Sequence, residues 1–155
     1  MLVKFTVENY LSFKKRTSID LTATSLTELR NDNLHSTPLN NLTLLKSMVI
    51  FGANSNGKSN LFKAIQFVRK FILNSSKDTQ SDEPIEIEPF RLSIESIDKP
   101  SFFELIFIYD SVKYRYGFEA DSTKIHKEWL YSTTKNKEQL LFERQFQDIT
   151  ISKKY

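Results

Sequence analysis

An α/β fold, with a mixed, largely antiparallel sheet around one helix, is predicted by three observations in the 155-residue sequence. Residues 52–59 (GANSNGKS) fit the pattern G-x-x-x-x-G-K-[ST] without a mismatch. They follow an apolar run over 42–51 (LTLLKSMVIF), as a buried strand requires, and precede Leu61, Ile65, Val68 and Ile72 on one face of a helix running to about Leu73. Beyond residue 100, apolar and polar residues alternate in successive short segments, as antiparallel strands do.

Strand, glycine-containing loop and helix together predict a phosphate-binding loop, so the fold is of the P-loop nucleotide-binding type. A triphosphate needs several donors converging on one anion, and backbone amides supply them when the chain curls around it. Gly52 and Gly57 are expected to permit turns that a side chain would obstruct. The helix that follows directs unpaired amides and its positive dipole end at the same phosphates. Lys58 is assigned to the β/γ-phosphate oxygens and the Ser59 hydroxyl to Mg²⁺. The candidate nucleotide contacts are Gly52, Ala53, Asn54, Ser55, Asn56, Gly57, Lys58, Ser59 and Asn60. The plainer reading, a glycine turn with Lys58 merely solvated, requires strand, pattern and helix to coincide by accident.

Composition narrows the classes. Hydrophobic residues at 39% and charged residues at 26% exclude a compositionally disordered chain. Thirteen Phe and six Tyr against three Gly favour sheet packing over loop-rich architecture. A net charge of +3 tolerates nucleic acid without arguing for it, since no stretch carries a basic stripe. Cys is absent, which excludes disulfides and thiolate metal sites. No apolar run approaches the roughly 18 residues of a membrane span, and Lys4 and Glu8 set the N-terminus apart from a signal peptide. A cytoplasmic protein without a membrane partner is expected.

In order along the chain, residues 2–8 (LVKFTVE) alternate as a half-buried strand, 9–13 turn, and 16–22 return as a hairpin partner. Residues 25–36 predict a short helix capped by Ser25 or Thr27, followed by a polar loop, with His35 on the surface. Residues 74–84 (NSSKDTQSDEP) read as a flexible linker. The chain thus divides into 1–73, holding the hairpin, loop and helix, the linker 74–84, and a β-rich part, 85–155. Within the latter, 85–92 is an edge strand interrupted by Pro89. Residues 102–109 and 112–119 make a hairpin, and 124–131, 140–146 and 149–152 complete the strands. Trp129 is expected to pack in the core or on a sheet face, and His126 to lie on the surface.

Hydrolysis needs a carboxylate at the end of an apolar strand to hold Mg²⁺, together with a group that orients water. Asp110 ends the apolar run 105–109 and is the one candidate, but Asp-Ser is also a good turn pair, and the next strand alternates at once. Glu83, Glu86 and Glu88 read as a solvated face, and Glu128 with His126 as a surface pair on one strand.

Taken together, the residues resemble the N-terminal half of an ABC-type ATPase head of the SMC, RecF and OLD kind. More closely, they resemble the bacterial AAA-family ATPases, ABC-like in fold, of anti-phage and abortive-infection systems. Three segments carry this: the opening VKFTVENYLSF of residues 3–13, like the family's strand and N-F-[RK]-S-F turn; VIFGANSNGKSNLFKAI of residues 49–65; and antiparallel segments that include YRYGF at 114–118 and EWLY at 128–131. The resemblance implies ATP and Mg²⁺ as ligands, Asn54 and Asn56 lining the loop, and the 9–13 turn lying near the nucleotide. Leu11 stands where the family often has a basic residue, with Lys14 or Lys15 as substitutes. Gln80, Gln139, Gln145 and Gln147 match no Q-loop context, and the signature segment, the Walker B glutamate and the switch histidine find no match. In the family these come later, so the remainder of the head is expected to be missing. Such heads hydrolyse ATP only when two meet, so the resemblance implies a second ATPase head as partner, either a homodimer mate or a complementary C-terminal part. It further implies DNA or an effector nuclease in the full system. The chain alone is expected to bind ATP weakly or not at all and to be catalytically inactive. The alternative is a non-hydrolytic nucleotide-sensing module acting with a partner polypeptide.

Overall fold

The computed structural model describes residues 1–25, 28–39, 42–54, 56–75, 84–134 and 137–152. Strand β1 (Leu2–Glu8) owes its place to its alternation: Val3, Phe5 and Val7 turn one way and are buried. It lies between β2 (Thr17–Asp20), its hairpin partner, and β5 (Ser101–Tyr109), both antiparallel to it. From β5 the chain meanders through β6 (Val112–Ala120), β7 (Ile125–Thr134), β8 (Lys137–Gln145) and β9 (Asp148–Ile151). The order is β2-β1-β5-β6-β7-β8-β9. Every ladder among the described residues is antiparallel, where a mixed sheet was expected. For the β1–β2 hairpin and the meander from β5 to β9 the reason lies in the connections, because short turns join neighbouring strands only antiparallel.

One long helix, α2 (Lys58–Ser75), covers one face of this sheet. Its apolar stripe places Leu61, Ala64 and Val68 in the same buried cluster as Phe5, Val7, Phe103 and Phe118. Aromatic contacts fix the seat. Phe71 stacks on Phe118 at 4.1 Å, and Phe67 meets Tyr10 at 5.5 Å and Phe103 at 5.1 Å. Trp129 packs on a sheet face, as expected. Its ring crosses Gly117 so closely that a Cβ there would stand 2.4 Å from it, and its indole N–H donates to Glu104 at 3.3 Å. Beside it Arg115 donates to Glu104 and Glu138 and lies 4.2 Å above the Tyr131 ring.

Several expectations are corrected. The apolar run 42–51 is not a buried strand. Only β4 (Thr43–Leu45) forms, pairing with β3 (Leu34–Ser36) in a separate two-stranded sheet. Leu44 is buried against Val3 and Ile108, whereas Val49 is 70% and Phe51 87% exposed. An apolar run is buried only where neighbouring strands flank it, and none of the described strands pairs with 46–52. The helix expected over 25–36 shrinks to the four residues of α1 (Arg30–Asn33). Leu29, at φ 50°, breaks helical propagation before it, and Leu34 is drawn into pairing with Leu45. The cap candidate Thr27 lies outside the described residues, as do 76–83 of the expected linker, Gln80 and Glu83 included. Residues 85–92 form no strand, though Ile87 is buried and the Glu88 carbonyl accepts from Leu11 N–H at 2.9 Å. Pro89 withholds the amide that a ladder needs there. A single turn, α3 (Ile94–Ile97), follows before β5.

Candidate functional site

The phosphate-loop segment emerges from 46–52, which has no regular structure, and runs directly into α2. Gly57 precedes the helix with φ 82°, a conformation that favours glycine, and the Ser12 hydroxyl oxygen lies 2.6 Å from where its Cβ would stand. Gly52 departs from expectation. A Cβ there would meet Asn56 at 3.7 Å and Lys58 Nζ at 4.0 Å, which are ordinary contacts. The steric demand in this loop therefore falls on Gly57.

Gly52, Ala53, Asn54, Asn56 and Ser59 are exposed, while Gly57, Lys58 and Asn60 are half-buried. Ser55 lies outside the described residues. Asn56 N–H donates to the Ala53 carbonyl at 3.3 Å, curling the loop, and Leu61 N–H donates to Gly57 at 3.1 Å as the helix opens. The Lys58 ammonium donates to the Gly52 and Ala53 carbonyls, both at 2.7 Å, which folds its side chain back over the loop. Amides of the first helical turn lack intrahelical partners, and no acidic residue stands in that turn of α2 to oppose an anion. Amide donors, an ammonium and an exposed hydroxyl at Ser59 form a donor set suited to a polyphosphate and its Mg²⁺.

The 9–13 turn lies against this loop. Asn60 Nδ2 donates to Ser12 Oγ at 3.0 Å. The turn is braced by Asn9, 4% exposed at φ 52°, whose amide donates to the Ser96 and Lys99 carbonyls at 2.8 and 2.7 Å and accepts from Phe90 N–H at 3.1 Å. Leu11 packs against the core cluster, so that position offers the phosphates nothing. Lys14 lines a polar cleft with Asn9, Arg16, Lys99 and Phe102. Ser12 escaped the sequence reading. Its signal was its place within NYLSF, but its partner stands 48 residues away.

The other candidates are accounted for elsewhere. Asp110 and Ser111 form the tip of the β5–β6 hairpin with φ 46° and 59°, and Asp110 is exposed there. His126 is half-buried rather than on the open surface: its Nε2 meets Asp121 Oδ2 at 2.5 Å. Glu128 accepts from the Tyr116 hydroxyl at 2.7 Å, so His126 and Glu128 serve separate partners. Burial first, and the Glu128 carboxylate second, push the Tyr116 hydroxyl far above its usual pKa. Glu86 pairs with Lys70 at 2.6 Å, and His35 is exposed on β3. Among the described residues no group of three His, Asp or Glu side chains is placed to hold a metal.

A glycine-containing loop opens a helix that lies on a sheet, with its lysine folded over the loop. Residues 47–155 match the family described as "AAA domain, putative AbiEii toxin, Type IV TA system". The match covers well over half of the chain, and the protein belongs to that family. No curated protein matches it.

Proposed function

We propose that the chain binds ATP with Mg²⁺, weakly but detectably when alone, as the Walker A half of an ABC-type ATPase head, which hydrolyses ATP after pairing with a second head. The observation that carries this reading is Gly57 at φ 82° directly before α2, with Lys58 folded over the loop carbonyls. Gly57 and the helix N-terminus present amides to the β-phosphate, Lys58 exchanges its carbonyl partners for β/γ-phosphate oxygens, and Ser59 supplies a hydroxyl to the metal. Bound Mg²⁺ would neutralise charge developing on the phosphates. The apolar residues 48–51, exposed beside the loop, support a partner that covers them, either a second head or a complementary C-terminal part. A cytoplasmic role in anti-phage or abortive-infection defence, with DNA or an effector nuclease in the full system, fits the family described above.

The second reading, a nucleotide-sensing module without hydrolysis, is favoured by Asp110. Asp110, which directly follows the apolar strand β5, stands at an exposed hairpin tip. Turnover separates the two from a self-sufficient enzyme. The isolated chain is expected to release no phosphate from MgATP above the Lys58→Ala background. Lys58-dependent hydrolysis by this chain alone would overturn the composite-site proposal.

A further inference from the structure

The turn between β1 and β2 is held from four sides. Asn9 and Leu11 stand at φ 52° and 49°, and Tyr10 and Phe13 exchange backbone hydrogen bonds of 3.1 and 2.8 Å. Leu11 N–H is anchored on Glu88, and the Tyr10 ring is wedged between Phe67 of α2 and Phe103 of β5. Asn9 accepts from the Ser101 hydroxyl through its backbone carbonyl, tying the turn to the start of β5. A turn so fixed presents Ser12 at one place. There the hydroxyl oxygen accepts from Asn60 Nδ2 at 3.0 Å and closes on Gly57. Gly57 and Asn60 are the residues on either side of Lys58 and Ser59, so Ser12 braces both flanks of the pair that carries the chemistry.

We infer that Ser12 is a positioning residue of the phosphate site: it sets the position of residues 57–60 relative to the sheet and thereby the affinity for the triphosphate. This rests on the nucleotide-binding reading above and deepens it. The hydroxyl has a donor and two acceptor sites, and the bond from Asn60 uses one acceptor. The family's phosphate-loop pattern contains no position for Ser12, which joins the site only through the tertiary fold.

The test uses the full 155-residue chain and its Ser12→Ala, Asn60→Ala and double variants, with two readouts. Amide hydrogen exchange without nucleotide reports the brace. MgATP titration, followed by amide shifts, reports its consequence. Ser12→Ala should speed exchange across residues 57–61 and leave the β5–β7 ladders unchanged. It should weaken MgATP binding about fivefold, the effect of one lost hydrogen bond. The double variant should be no weaker than the weaker single variant, because both remove the same bond. Unchanged exchange at 57–61 in Ser12→Ala overturns the inference whatever the nucleotide does. So does additive weakening in the double variant. Faster exchange in a chain whose wild type shows no MgATP shifts at all also overturns it, and places the fault in the nucleotide-binding reading rather than in the brace.

Discussion

Gly57 carries the strictest local requirement in the loop, and two independent facts impose it. Its φ of 82° is costly for any L side chain, and a Cβ would press to within 2.6 Å of the Ser12 oxygen. Gly57→Ala should therefore displace the loop from its helix. Because the loop is exposed, the expected loss of global stability is only about 1–2 kcal/mol, while MgATP binding should disappear. Urea denaturation and nucleotide titration of the same variant check both halves. The pattern in the sequence marked both glycines alike and could not tell which the backbone needs, since that depends on where Ser12, 45 positions earlier, comes to rest. The Asn9 network was illegible for a related reason. Its partners at Phe90, Ser96 and Lys99 are brought to it by the return of the chain into β5.

At the scale of elements, the succession β5 to β9 is legible because each strand pairs with its neighbour in sequence, although β7 runs on to Thr134 and β8 starts at Lys137, past the ends expected at 131 and 140. The run 42–51 was misread because apolar composition describes what a segment would bury, not whether a neighbour exists to bury it. The β6–β7 connection is braced by Asp121. Its carboxylate accepts from Thr123 N–H at 2.7 Å, the Thr123 hydroxyl at 2.6 Å and Lys124 N–H at 3.0 Å, and meets His126. Burial alone would raise its pKa. The hydrogen bonds from Thr123 and His126 outweigh burial and hold the carboxyl well below its ordinary 3.8. The sign follows directly. A folded-state value below the unfolded one contributes stability that is complete above pH 3.8 and is lost as pH falls from there through the depressed value. Asp121→Asn should flatten the fall of stability with pH below about 4 relative to the wild type. Thermal melts at pH 2 to 7 measure this, and parallel curves for the two chains would count against the Asp121 brace.

Across the whole molecule, an antiparallel sheet and one helix enclose an aromatic core, and the phosphate loop stands at their junction. The helix is anchored by Phe67 and Phe71 against Phe103 and Phe118, so the loop that opens it has a rigid base. The 9–13 turn braces it from the sheet side. Among the described residues no helix is long and apolar enough to cross a membrane. The loop and the helix behind it were readable from eight consecutive residues and a helical stripe. The support from the sheet was not, because it comes from the first strand and its turn. Residues 52–60 are proposed to bind the phosphates of ATP through Lys58. The most direct measurement is a titration of the isotope-labelled chain with MgATP, following the amide shifts of those residues in the wild type and in Lys58→Ala. Saturable shifts confined to 52–60 and the adjoining 9–13 turn, lost in Lys58→Ala, are the predicted result. Shifts centred elsewhere, or undiminished in Lys58→Ala, would contradict it.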